Sequence, residues 1–249
     1  MRWNSLGKAQ KVGEKKSALP EAAKPFLHTT PSEALHAIVR EKVIVEGRSF
    51  FITRPVESER IQDHPAVQAA LEKHDYLPYW TDLWPAARML AKVILREPPQ
   101  PGTRVLELGS GLGLPGIAAL ACGLRVTFSD CDATALEFAA ANARANGFTE
   151  FDLLLLDWWY PPDDLRFPIV LASDLLYELR NINPIVKLLK RVLEPDGLCL
   201  LTDQDRLPAY NLREALEGVG LTYTTRTLRA GEPGGRRTRG TLYRIRPAL

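Results

Sequence analysis

Residues 104–116 read RVLELGSGLGLPG: a short apolar strand, then Gly109, Gly111, Gly113 and Gly116, with Pro115 placed to open a helix. Glycines let a backbone turn sharply and pass close to a ligand. A glycine loop between a strand and a helix is the usual ligand crevice of an open α/β sheet. The rest of the chain repeats the pattern. RVTFSD (125–130), FDLLLLD (151–157), PIVLASD (168–174) and GLCLLTD (197–203) read as further strands. The spacing predicts helices over Pro115–Ala121, from an Asp132 cap to Gly147, over Pro184–Leu193 and over Pro208–Glu217. Strands alternating with helices predict a doubly wound, mostly parallel sheet. Runs such as VLEL and LLLL suit strands covered on both faces.

Working outward, LTYTTRTLRA (221–230) and GTLYRIR (240–246) flank a Gly/Pro-rich turn, which predicts an antiparallel C-terminal hairpin at the sheet edge. Its seven arginines between Arg226 and Arg246 suit either a guarded edge or a surface for an anionic or protein partner. On the other side, YWTDLWPAA (79–87) predicts a tryptophan-bearing helix capped by Asp82, with Leu83, Ala87, Leu90 and Ile94 at helical spacing. Two β-rich runs around Glu46-Gly47 predict a hairpin over Lys42–Thr53, and a short helix follows near Pro65–Lys73. Residues 1–30 carry six basic and two acidic residues and no apolar period, which predicts a disordered basic tail. The expected organisation is therefore a tail (1–30), a hairpin and helix extension (31–76) and a catalytic-type α/β domain (77–249).

Composition narrows the function. The 249 residues carry 32 Lys+Arg against 30 Asp+Glu, a near balance unlike that of a dedicated nucleic-acid binder. No apolar run reaches a membrane span and no signal-peptide core is present, so a cytoplasmic protein without membrane contact is expected. Cys122, Cys131 and Cys199 form neither a disulfide framework nor a zinc motif, and the four histidines form no ligand motif, so no metal is expected.

Asp130, at the end of the second strand, can accept both hydroxyls of a ribose. The glycines formally fit a dinucleotide fingerprint as well. Glu107, however, would be poor company for a pyrophosphate and good company for the cationic methionine end of S-adenosyl-L-methionine (SAM).

VLELGSGLGLPG followed by VTFSD resembles the glycine loop and ribose acid of class I SAM-dependent methyltransferases, over about residues 77–246. YWTDLWPAA, Asp157-Trp158 and Asp174-Leu-Leu-Tyr177 further resemble the D-x-x-Y protein-lysine methyltransferases, grouped with nicotinamide N-methyltransferase-like proteins. The resemblance implies a seven-stranded Rossmann-like methyltransferase fold with SAM as cofactor. It implies that Gly109, Gly111 and Gly113 line SAM with Glu107 at its amino-acid end, and that Asp130 holds the ribose. Asp157 and Trp158 would bracket the adenine, Trp84 would pack near the methionine moiety and Ser173 would lie along the cofactor. Asp174 and Tyr177 would face the substrate, an expected protein lysine. A small-molecule amine, RNA or a SAM-binding module without turnover are the alternatives. The N-P-P-[YF] signature of base and glutamine-amide methylases is absent after the fourth strand, where Ser173-Asp174-Leu175-Leu176 stands, so nucleic acid is the less favoured partner.

Overall fold

A computed structural model describes residues 27–248, apart from 31, 36, 57, 207, 208, 232–234 and 236. Residues 1–26, and so nearly all of the expected tail, lie outside the described residues, as do the expected helix start at Pro208 and most of the C-terminal turn.

Two strands, β1 (Ile38–Val45) and β2 (Arg48–Pro55), form the N-terminal hairpin. Glu46 and Gly47 turn it with φ of 49° and 75°, both left-handed, as the tightest hairpin turn demands. Two helices follow, α1 (Ser58–Gln62) and α2 (Pro65–His74), then α3 (Pro85–Arg96). The repeating part runs β3 (Arg104–Leu108), α4 (Leu114–Leu120), β4 (Arg125–Asp130), α5 (Ala133–Ala145), β5 (Asp152–Leu155), β6 (Phe167–Ser173), α6 (Leu179–Val192) and β7 (Leu193–Asp203). It closes with α7 (Tyr210–Gly218), β8 (Leu221–Ala230) and β9 (Thr238–Pro247). The seven-stranded sheet has the order β5-β4-β3-β6-β7-β9-β8. Its first five strands are parallel, and β9 runs antiparallel between β7 and β8. The chain reverses direction across the sheet between β3 and β6, so the crevice lies at the carboxyl ends of these strands.

Glycine has a steric role at the third position of the fingerprint. A Cβ on Gly116 would press into the Phe128 ring and the Glu107 carboxylate, so only glycine lets α4 lie this close to the sheet. The hairpin docks through two asparagines one turn apart, Asn142 on α5 and Asn146 just past its end. Asn142 and Asn146 each accept from and donate to the β2 backbone, at Thr53 (2.7 and 3.0 Å) and Phe51 (2.8 and 2.8 Å), as a neighbouring strand would. Asn142 also donates to Leu112 O in the glycine loop at 3.0 Å, which ties the hairpin to the crevice.

Several boundaries differ from the sequence reading. Residues 79–81 form a 3-10 turn, and α3 begins only at Pro85. Trp84 is therefore the residue before the helix, and Asp82 does not cap it. Helix α6 starts at Leu179, five residues before Pro184, which sits buried in its interior at the cost of one backbone hydrogen bond. Residues 28–30 are docked, not part of a tail. The His28 backbone bonds Cys131 O (2.8 Å) and Ala133 N (3.0 Å), and Thr30 is buried.

Asp132 fixes that segment. It caps α5 through Thr134 N (2.7 Å) and is fully buried. It also accepts from Thr30 N (3.2 Å) and Thr30 Oγ1, from the Tyr76 hydroxyl (2.6 Å) and from Trp80 Nε1 (3.1 Å). Hydrogen bonds to a charged group contribute roughly 1.5–3 kcal/mol each, and orphaned donors cost a comparable amount. Asp132→Ala is therefore expected to destabilise the fold by about 3 kcal/mol or more. A thermal melt would show a Tm lower by about 6–12 °C, and an unchanged Tm would remove the carboxylate from this role.

Candidate active site

The carboxyl ends of β3, β4, β6 and β7 open into a cavity of about 320 Å³. It is lined by Gly109, Ser110, Gly111 and Gly113 of the glycine loop, by Asp130 and Cys131 at the end of β4, by Trp158 after β5, and by Ser173, Asp174 and Tyr177 at and beyond the end of β6. Tyr76, Tyr79, Trp80 and Trp84 supply an aromatic side, and Arg206 reaches in from the loop after β7.

The glycine loop and Asp130 are locked to each other. Gly111 N donates to Asp130 Oδ2 at 2.9 Å, and Asp132 N donates to Oδ1 at 3.1 Å. Burial pushes the Asp130 carboxyl up to about 6, against these two donors, and Asp132 nearby adds to the rise. Gly109 has a φ of 58°, and a Cβ there would lie 2.5 Å from Leu175 Cδ2 and 3.3 Å from Trp158 Cζ2, so a larger residue would force these side chains to shift. Trp158 Nε1 is buried and has no hydrogen-bond partner among the described residues.

Asp174 sits just past β6 with a left-handed backbone (φ 61°) and is 5% exposed. Burial raises its carboxyl to about 6, against the Arg206 cation and a hydrogen bond from Gln204. Tyr177 packs on Tyr79 with ring centres 5.0 Å apart. Burial holds its hydroxyl far above the ordinary phenol range, so it acts as a neutral hydrogen-bonding group. Trp84 Nε1 is anchored on Tyr79 O at 2.8 Å, and the Arg206 guanidinium lies 5.1 Å from a Trp84 ring centre.

Nine of the eleven residues singled out from sequence line the cavity: Trp84, Gly109, Gly111, Gly113, Asp130, Trp158, Ser173, Asp174 and Tyr177. The other two do not. Glu107 is 1% exposed and lies under the loop, where Oε2 accepts from Gly116 N at 3.1 Å. Burial pushes its carboxyl well above the usual range. Asp157 is 5% exposed and accepts from Trp159 N at 2.8 Å, shaping the loop that presents Trp158. Sequence reasoning missed Tyr76, Tyr79, Trp80, Cys131 and Arg206. The density of aromatics in residues 76–84 was the signal for three of them; Arg206 gave none.

The strand order, the crevice at the chain reversal and the glycine loop against Asp130 define the class I methyltransferase fold. Solved structures agree on that fold. The chain is 17% identical to a putative RNA methyltransferase from Pyrococcus horikoshii, with a TM-score of 0.53 over 66% of this chain and 82% of that one. It is 16% identical to magnesium protoporphyrin IX methyltransferase from Synechocystis, solved with bound SAH, with a TM-score of 0.52 over 64% and 81%. The chain belongs to the lysine methyltransferase family, whose sequence model matches residues 79–214. Similar curated proteins include histone-arginine methyltransferase METTL23 from Rattus norvegicus, 31% identical over 45% of this chain and 52% of that protein. The Dictyostelium discoideum histidine protein methyltransferase 1 homolog is 33% identical over 41% and 35%. The electron transfer flavoprotein beta subunit lysine methyltransferase from Mus musculus is 30% identical over 41% and 40%. The chain spans about half the length of the METTL23 relatives it matches, and less of the others.

The residues present fit SAM, the cofactor that this family implies. Gly109, where a Cβ would run into Leu175, the Asp130 carboxylate held by Gly111 N and the unpartnered indole N–H of Trp158 line one cavity. A protonated Asp130 loses acceptor capacity, so affinity should fall as pH drops through about 6. Calorimetry should show SAM binding roughly tenfold weaker at pH 5 than at pH 7, and a flat profile in Asp130→Asn. A wild-type profile as flat as the variant's would remove Asp130 from the site.

Proposed function

We propose that the chain is a SAM-dependent protein N-methyltransferase that acts on a lysine side chain. The observation that carries this reading is the sharing of one cavity by two sets of residues. Gly109, Gly111, Gly113, Asp130 and Trp158 suit the cofactor, and Asp174 and Tyr177 line the same cavity. Family membership supports the acceptor class, and three relatives are named for protein acceptors. Among the described residues no helix is long and apolar enough to cross a membrane. The cytoplasmic setting is part of the proposal and rests on the sequence.

The bound cofactor supplies a methyl group on a positively charged sulfur. The protein's own task is alignment, which contributes most of the acceleration in such in-line transfers. Gly109, Gly111 and Gly113 would let the cofactor lie against the backbone, Asp130 would take the ribose hydroxyls, and Trp158 and Trp84 would flank its two ends. A lysine amine, of ordinary pKa about 10.4, must shed a proton before it attacks. Burial in this cavity disfavours a second cation and so favours the neutral amine. Asp174 would accept a hydrogen bond from that amine, and Tyr177, a neutral phenol on Tyr79, would close the pocket around it.

Incubation of the protein with methyl-labelled SAM and a cytosolic lysate tests the reading. Label is expected in a discrete protein band whose hydrolysate contains methyl-lysine. Asp130→Ala should abolish it through loss of SAM binding. Asp174→Ala should lower turnover about 100-fold or more with SAM affinity kept. Label found only in small molecules, or only in RNA, would overturn the protein-lysine assignment. A rise in Tm with a nicotinamide dinucleotide but not with SAM would overturn the cofactor.

A further inference from the structure

The end of β7 is shaped around the end of β6. Asp174 and Asp205 both have left-handed backbones, with φ of 61° and 58°. Such conformations in non-glycine residues persist only where the surroundings enforce them. Asp174 N donates to Thr202 O at 2.9 Å, which binds the two strand ends together. Asp203 Oδ1 accepts Arg206 N at 2.9 Å and closes the turn through Asp205. The turn delivers two donors to a single atom. Gln204 Nε2 and Arg206 Nη2 (3.2 Å) both reach Asp174 Oδ2. Oδ1 of the same carboxylate is buried with no hydrogen-bond partner among the described residues.

The side chain of Asp174 is 3% exposed and that of Arg206 is 27% exposed. The guanidinium rests over Trp84, so its place in the cavity wall is fixed from two sides. Asp203 is the other charge acting on Asp174, and it opposes the ionised form that Arg206 and Gln204 favour.

We infer that Gln204 and Arg206 are positioning residues of the methyl-acceptor pocket: they grip Asp174 by one oxygen, hold it as the carboxylate, and leave its other oxygen for an N–H of the acceptor. The inference rests on the acceptor reading of this cavity given above. A carboxylate held at one oxygen cannot rotate away from the acceptor, and a cation beside it keeps it ionised in a dry site. The same guanidinium disfavours a second cation nearby, which favours an acceptor amine in its neutral, nucleophilic form.

The test uses the full chain labelled with carbon-13 at aspartate carboxyls, followed by NMR through a pH titration. Asp174→Asn identifies the Asp174 signal. Arg206→Met removes the charge and keeps the side-chain length, Arg206→Lys restores the charge, and Gln204→Leu removes the second donor. The Asp174 midpoint is expected to rise by about one pH unit or more in Arg206→Met, which is tenfold in acidity, and by less than half as much in Arg206→Lys. Gln204→Leu should move it in the same direction by a smaller step. SAM affinity, measured by calorimetry on the same samples, is expected to stay within about twofold of wild type. The acid limb of kcat/KM for the labelled lysate protein should move with the midpoint. An unmoved midpoint in Arg206→Met overturns the inference. So does a shift as large in Arg206→Lys, or a loss of SAM affinity that would assign Arg206 to the cofactor. Failure of the wild type to bind SAM overturns the functional reading instead, and the titration tells the two failures apart.

Discussion

One buried carboxylate holds together parts of this chain that local structure could not join. Asp132 has no exposed surface, and an isolated ion in such a place would cost several kcal/mol. It is tolerated because four residues direct donors at it: Thr30, Tyr76, Trp80 and Thr134. The donors come from three parts of the site's surroundings. Thr30 brings in the N-terminal segment, Tyr76 and Trp80 bring in the aromatic wall, and Thr134 opens α5. The Asp132 N–H in turn bonds Asp130, two residues upstream. The aromatic wall, the helix start and the acid facing the cavity are thus fixed by one ion and its backbone.

Desolvation is the cost of this arrangement. Asp130 and Asp174 lie in the same dry crevice, and both carboxyls are raised to about 6. A group whose folded pKa lies above its ordinary value stabilises the fold below that ordinary value and loses the contribution as pH rises through the folded one. Each acid therefore takes about 3 kcal/mol from the fold between pH 4 and neutrality. Two desolvated, ionised acids at neutral pH are not what packing alone would select. They are what a site needs if it must accept hydrogen bonds from ribose hydroxyls on one side and from an amine on the other.

The parts of the fold that were legible in the sequence depend on short-range signals. The glycine loop, the five apolar strands, the Asp132 cap and the Glu46-Gly47 turn each lie within a few residues and express a local backbone demand. The parts that were not legible depend on partners far along the chain. Nothing local distinguishes an Asp132 that caps a helix from one that also holds Thr30, 102 residues away. Arg206 was invisible for the same reason, since its partners are Asp174 and Trp84. The facing of Glu107, which is buried and does not line the cavity, was not legible either. Glu107 takes the Gly116 N–H under the loop, a contact that only the packing of α4 onto the sheet creates. Pro184 marked a false helix start because a helix rule was applied where burial won: the proline is packed inside α6 and one lost hydrogen bond is offset.

The sheet order separates two jobs that could have interfered. The glycine-loop residues and Asp130 come from the ends of β3 and β4, on one side of the chain reversal. Those assigned to the acceptor, Asp174, Tyr177, Gln204 and Arg206, come from the ends of β6 and β7 on the other. The loops after β6 and β7 can therefore change their polar content without disturbing the contact between Gly111 and Asp130, which is made within the first group. Relatives named for arginine, histidine and lysine acceptors are what such a division allows: one way of holding a cofactor, combined with different ways of holding a nitrogen. In this chain the second half is built around the Asp174 carboxylate, which accepts hydrogen bonds from Gln204 and Arg206.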